Sequence, residues 1–155
     1  MRRSEREITD GKQIEKMIAE TEVLRVGFYD EGEIYIVPVN YGYINENGKY
    51  TFYFHGARAG RKYELSKTSP KVGFELDCKY SVIEGASACD FSSTYQSIIG
   101  TAKLEIVEEL QEKEMALNLI MKQAAGKDKW EYRDGMLKAV GVYKLSVEKM
   151  SCKGH

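Results

Sequence analysis

The chain has 155 residues, 43% of them hydrophobic, and 23 Lys and Arg against 24 Asp and Glu give a formal net charge of −1. That length fits one domain, residues 1–155, with a sizeable core; the balanced charge excludes a global basic field for nucleic acid, and no segment has the length and apolarity of a membrane span. The charged start, Met1 to Glu7, argues against a signal peptide; three cysteines without CxxC spacing (Cys78, Cys89, Cys152) and only two histidines speak against a disulfide framework or a metal centre and for reduced thiols in a cytoplasmic protein.

Thr9 or Asp10 caps a first predicted helix that carries Ile14, Met17 and Ile18 on one face and ends near Glu20. Val23 to Tyr29 reads as a strand, Asp30 to Glu33 as a turn, and Ile34 to Tyr43 as a second strand, together a hairpin. Pro38 inside that second strand implies an edge, a bulge or a break, because proline cannot donate to a ladder. Asn45-Glu46-Asn47-Gly48 is another turn, and Lys49 to His55 returns as a third, aromatic-rich strand. A short helix runs from Arg61 to about Ser66 and stops before Pro70. Val72 to Asp77 is a strand, Lys79 to Phe91 an irregular excursion, and Ser93 to Val107 a long strand with a bulge or bend at Gly100. A helix follows from about Glu109 to Ala125, with Leu110, Leu117, Ile120, Met121 and Ala124 as its buried stripe and Gly126 as its stop. Gly126 to Asp134 has no clear pattern, and Ala139 to Met150 is a final strand of period two. Six strands and three helices, with hairpin links predominating, predict a mainly antiparallel six-stranded closed or split β-barrel with peripheral helices.

The stretch Phe52-Tyr53-Phe54-His55-Gly56-Ala57-Arg58-Ala59-Gly60-Arg61-Lys62 carries the most functional information. A strand that runs through a glycine-bearing loop into a helix N-terminus leaves backbone N–H groups pointing outward, and the helix dipole favours negative charge there. Arg58, Arg61 and Lys62 add full charges that can bind phosphate. The segment reads as a phosphate cradle with His55 at its rim; turn geometry and solubility alone would use the same residue types. Arg61 and Lys62 point about 100° apart on one helical turn, and Lys62 is the first choice for the phosphate. Arg25 on the first strand is a further candidate if it points inward.

These residues resemble one superfamily. The runs Val37-Pro38-Val39-Asn40-Tyr41, Phe54-His55-Gly56-Ala57 with Gly60-Arg61-Lys62, and Tyr95-Gln96-Ser97-Ile98-Ile99-Gly100 are similar in order and spacing to the pyridoxamine 5′-phosphate oxidase-like, FMN-binding split barrels. Within them the likeness is greatest to the Nim branch, the proteins associated with 5-nitroimidazole antibiotic resistance, and it covers nearly the whole chain. The resemblance implies a homodimer with FMN in clefts at the subunit interface. Carried over by position, Pro38, Val39, Asn40 and Tyr41 contact the isoalloxazine ring, and His55, Gly56 and Ala57 lie along the ring and ribityl chain. Arg61 and Lys62 hold the phosphate, and Ser97, Ile98 and Gly100 add contacts from the long strand. His55 then sits beside the flavin in the position proposed for nitro-group chemistry. The C-terminal run Met150 to His155 lacks the Arg-containing motif of true pyridoxamine-phosphate oxidases, so vitamin B6 oxidation is not expected.

The implied activity is FMN-dependent reduction of a small aromatic or nitroaromatic electron acceptor, with a nicotinamide cofactor or a reduced partner as transient donor. No Rossmann fingerprint is present for stable dinucleotide binding. Tyr41, Tyr43, Tyr53 and Phe54 can line an acceptor cleft or simply pack the strands. His55 can donate a proton near neutrality, make a structural contact to the cofactor, or ligate haem iron. The rival reading is a non-catalytic flavin- or haem-binding module, and a deazaflavin in place of FMN is a third.

Overall fold

The computed structural model describes residues 4–127 and 129–155; Met1–Arg3, in the charged start, and Asp128, in the segment without clear pattern, lie outside the described residues. Seven strands, β1 (Leu24–Asp30), β2 (Glu33–Val39), β3 (Tyr41–Glu46), β4 (Lys49–Gly56), β5 (Lys71–Ile83), β6 (Ser92–Val107) and β7 (Gly141–Gly154), form one sheet in the order β2-β1-β5-β6-β7-β4-β3. Every neighbouring pair is antiparallel. Helix α1 (Gly11–Glu20) precedes β1, α2 (Arg61–Thr68) joins β4 to β5, and α3 (Leu110–Ala125) and α4 (Asp134–Ala139) lie between β6 and β7.

β2 and β3 are separated by Asn40 alone, yet they stand at opposite edges of the sheet. Laid flat, those edges would be about 29 Å apart at about 4.8 Å per strand, which one residue cannot span. The sheet is therefore rolled until its edges meet at Asn40, giving a split barrel with a seam there. This break also makes seven strands where the sequence pattern predicts six. Pro38 sits just ahead of it on the edge strand β2, where a residue without an N–H is tolerated.

Three other elements differ from the expectation. Where the sequence pattern predicts three helices, α4 is a fourth among the described residues, and it takes Ala139 from the predicted start of the last strand, which runs on to Gly154. β5 does not stop at Asp77: Lys79 (φ 58) carries a bulge, and Ser81 to Ile83 pair with β6 again beyond it. The bulge shifts the apolar alternation, so the stretch looks irregular in sequence. The stripe of α3 is also rotated: Lys113, Ala116 and Ile120 are buried, whereas Leu110 and Ala124 are exposed. The cause is Gly42 on β3, where a Cβ would collide with the backbone of Leu119 and Ile120. The helix docks closely over that bare position, which turns Ala116 and Ile120 toward the sheet.

The barrel interior holds Phe28, Tyr41, Phe52, Phe54, Leu104 and Tyr143 among its buried side chains, and α1 inserts Met17 and Ile18 into it. A second cluster, Tyr53, Val107, Ala116, Ile120 and Val142, lies between the sheet and α3. Asp10 caps α1, its carboxylate accepting from the N–H groups of Lys12 and Gln13. The other end of α1 is tied to the seam: the Tyr41 hydroxyl donates to the carbonyls of Ile18 (2.6 Å) and Thr21 (3.1 Å), and Gln123 Nε2 donates to the same two. Among the described residues no helix is long and apolar enough to cross a membrane.

Candidate functional site

The corner between β4 and α2 is built from a strand end, a loop and an uncapped helix. β4 alternates Tyr50, Phe52 and Phe54 into the barrel and leaves His55 exposed at its end. The loop turns through Gly60 (φ 87), a conformation that favours glycine. Gly60 has no side chain to cap α2, whereas carboxylates of Asp10 and Glu109 fill the same position on α1 and α3. The first-turn N–H groups of α2 thus remain available to an anion.

Lys62 fits that corner. Its Nζ lies 5.3 Å from the Phe54 ring centroid and 5.4 Å from that of Tyr143. A Cβ on Gly56 would stand 2.6 Å from the same Nζ, so glycine leaves the space the ammonium occupies. Among the described residues no carboxylate pairs with Lys62, and burial holds its pKa below the usual lysine value. A half-buried ammonium without a counter-ion suits a ligand phosphate. Tyr143 completes the floor: its ring stacks on Phe54 at 4.8 Å and its hydroxyl donates to the Ala57 carbonyl at 2.8 Å. Tyr143 carries no sequence signal of this role, since nothing local on β7 says that it meets β4 at that point.

Arg61 is engaged elsewhere. It donates to Asp30 (2.7 Å) and Glu33 (3.0 Å) and stacks its guanidinium 4.6 Å from the Tyr35 ring centroid. It ties α2 to the β1–β2 hairpin. Arg58 is paired with Glu108 at 2.8 Å. Arg25 points away from the barrel interior and pairs with Glu75 and Asp77, so it is no inward cation.

Partial desolvation first, and the nearby Lys62 charge second, hold His55 below the ordinary imidazole range. The ring is exposed by surface area, so the desolvation is modest and the Lys62 repulsion acts in the same direction. Near neutrality the imidazole is therefore neutral. Tyr41 pairs with Phe54 across β3 and β4, and continuing that register by one residue sets Asn40 opposite His55. The seam thus brings Pro38 and Asn40, both exposed, to the corner that carries His55, Gly56, Ala57 and Lys62.

Several of the other expected residues turn their side chains into the core, which leaves their backbone for any contact. The side chains of Tyr41 and Ile98 are buried in the core, and a Cβ on Gly100 would meet the Phe74 ring; Val39 packs against the same core. Phe54 is buried and Tyr53 lies under α3, its hydroxyl donating to Glu112 at 3.0 Å. Tyr43 is half-buried and donates to Glu15 at 3.4 Å. Phe54 and Tyr53 pack the strands, because β-alternation sends them inward or beneath a helix, whereas Tyr43 and Tyr41 border surface pockets beside α1 and α3. Ser97 alone of the β6 set faces outward. His55 pairs with Val142 and Val142 with Val107; ten further residues along β6 put Ser97 about 33 Å away along the strand. The other way round, from Pro38 through Arg25 and Glu75 to Ile99, three strand spacings amount to about 14 Å along the sheet. One chain does not bring Ser97 to the β4–α2 corner.

A family model described as pyridoxamine 5′-phosphate oxidase matches residues 10–154. Among solved structures, the chain is 31% identical to a protein of Bacteroides thetaiotaomicron provisionally described as a 5-nitroimidazole antibiotic resistance protein; the match covers 96% of this chain and 86% of that one, with a TM-score of 0.83. The flavocytochrome Anf3 of Azotobacter vinelandii is 18% identical over 100% of this chain and 72% of its own, TM-score 0.82. An FAD and heme binding protein of Mycobacterium smegmatis is 14% identical over 96% and 72%, TM-score 0.81. At those identities the last two show the fold alone. No curated protein sequence matches the chain.

Proposed function

The chain belongs to the pyridoxamine 5′-phosphate oxidase family, and from that premise we propose that it is a flavin-dependent reductase that binds FMN between two copies of itself and reduces a small aromatic or nitroaromatic acceptor. The observation that carries this reading is Lys62, an ammonium half-buried beside Gly56 without a carboxylate partner at an uncapped helix start. In the proposed complex Lys62 and the first-turn N–H groups of α2 hold the phosphate. Gly56 and Ala57 leave room for the chain behind it, and Pro38 and Asn40 border the ring across the seam. Arg61 positions α2 rather than touching the ligand.

When bound, a flavin supplies two-electron chemistry that a nitro group can accept without a protein nucleophile. The protein residues bind, orient and exclude water. His55, neutral near pH 7, acts first as a hydrogen-bonding contact; it becomes a proton donor only where a bound anion raises its pKa. A second copy is needed because Ser97 is far from the corner of its own chain. The outward sheet face that carries Ser97 also exposes Tyr29, Ile34, Ile36 and Ile99, at 52% to 68% of their surface. Exposed apolar side chains on one sheet face, with the Arg25, Glu75 and Asp77 ion pairs between them, suit a protein contact, and the second copy is seated there.

A visible absorption spectrum of freshly purified protein tests the reading. Flavin bands that bleach on reduction and return on adding a nitroaromatic support it. A Soret band instead would favour haem at the exposed His55. Flavin bands that no nitro compound restores would leave a binding module without turnover.

A further inference from the structure

The outward face of β6 carries a second concentration of positive charge, separate from the β4–α2 corner. Arg6 Nη1 donates to the Tyr95 hydroxyl at 3.4 Å, and Lys153 Nζ stands 5.4 Å from the Tyr95 ring centroid. All three side chains are partly buried. Among the described residues neither Arg6 nor Lys153 has a carboxylate partner; Glu7, the ladder partner of Lys153, makes no ion pair with it. The two cations, Arg6 before Lys153, hold the Tyr95 phenol below its ordinary range. Two like charges lie against one phenol, Arg6 at its oxygen and Lys153 over its ring; they repel each other, and a carboxylate between them would relieve that repulsion. The phenol hydrogen, the guanidinium and the ammonium are donors grouped at one ring, and among the described residues no carboxylate joins them.

We propose that Arg6, Tyr95 and Lys153 form an oxyanion-binding site that takes a phosphate or carboxylate of a small ligand. Its place says how it is used. Ser97 is the direct cross-strand partner of Lys153, and Tyr95 is two residues before Ser97 on the same face of β6. That puts the site about 7 Å from Ser97, on the wall that a second copy presents to the flavin. This placement rests on the proposed flavin cleft; the anion binding does not. On that placement the site selects acceptors that bear an acidic group, and the alternative source of the oxyanion is the flavin's own phosphate tail.

The test titrates the full chain with inorganic phosphate and with 4-nitrobenzoate, following heat and the ultraviolet phenol signal. Tyr95→Phe, Lys153→Met and Arg6→Met are compared, with circular dichroism to verify folding; Arg6 lies outside the named strands, so its variant is the least prone to misfold. The expected result is saturable binding by the parent and affinity about tenfold weaker or more in each variant, as for loss of one charge-assisted hydrogen bond. FMN affinity, measured on the same samples, distinguishes the sources. Retained FMN affinity with weakened anion binding assigns the oxyanion to the acceptor, and loss of both assigns it to the flavin tail. Anion binding lost in the variants of a protein that takes no flavin would support the site and sink the flavin reading alone. No binding by the parent at millimolar anion, or equal binding by all folded variants, overturns the proposal.

Discussion

Replacing Lys62 by Met separates a ligand-binding lysine from a structural one, because the two roles predict opposite results. Among the described residues the ammonium makes no ion pair; it loses water to burial and stands over the faces of Phe54 and Tyr143. Each cation–π contact at a partly exposed site contributes about 0.5–1 kcal/mol, and methionine fills the same space without a charge to desolvate. The apoprotein should therefore change in stability by no more than about 1 kcal/mol, in either direction. A phosphate held by this ammonium loses a charge-assisted hydrogen bond of about 1.5–3 kcal/mol, so FMN should bind about 10- to 150-fold more weakly. Urea denaturation of the flavin-free protein measures the first quantity and quenching of flavin fluorescence the second. Unchanged FMN affinity would place the phosphate elsewhere, and a stability loss above about 3 kcal/mol would make Lys62 a structural residue.

Arg61→Met should have the reverse profile: a stability loss of about 1 kcal/mol from exposed ion pairs and the Tyr35 stack, with FMN affinity altered less than about threefold, within 0.7 kcal/mol. In Gly56→Ala the new Cβ clashes with the flexible end of Lys62 and reaches the Tyr143 ring at ordinary contact distance, so equilibrium unfolding should register little change while FMN affinity falls. Gly42→Ala presses instead on the backbone of α3 and should cost about 3 kcal/mol or prevent folding. The Lys62 charge helps to hold His55 below its usual range, and a phosphate seated on Lys62 removes that repulsion. His55 should thus rise in pKa and take up protons as FMN binds, so affinity strengthens as pH falls from above the bound-state pKa to below the free-state one. Calorimetry in two buffers of different ionisation heat reads the uptake as the difference between the parent and His55→Gln; net release by that difference would contradict the arrangement.

Local chemistry made much of this fold legible. Asp10 and Gly126 mark helix ends, Asn47-Gly48 and Glu31-Gly32 close hairpins with positive φ, and alternation along β6 and β7 marks strands whatever their partners. The corner at Gly56 to Lys62 was legible for the same reason, since it is contiguous in sequence. What depends on distant partners was not. The break at Asn40 follows from rolling the sheet. The rotation of α3 follows from its contact with Gly42, and the bulge at Lys79 hides the rest of β5. Arg61 and Lys62 look equivalent in sequence; only the positions of Asp30, Glu33 and Tyr35 separate them. Tyr41 and Ile98 belong to motifs that resemble cofactor contacts, yet β-alternation turns their side chains into the core.

The central claim is that the β4–α2 corner grips a phosphate, and comparing FMN with riboflavin isolates that group, since the two share one ring system and differ by the phosphate alone. Equilibrium fluorescence titration of the purified flavin-free protein should give FMN an affinity at least about tenfold higher than riboflavin, with the gap closing in Lys62→Met. Equal affinities for the two flavins, or a gap that Lys62→Met leaves intact, would contradict the account.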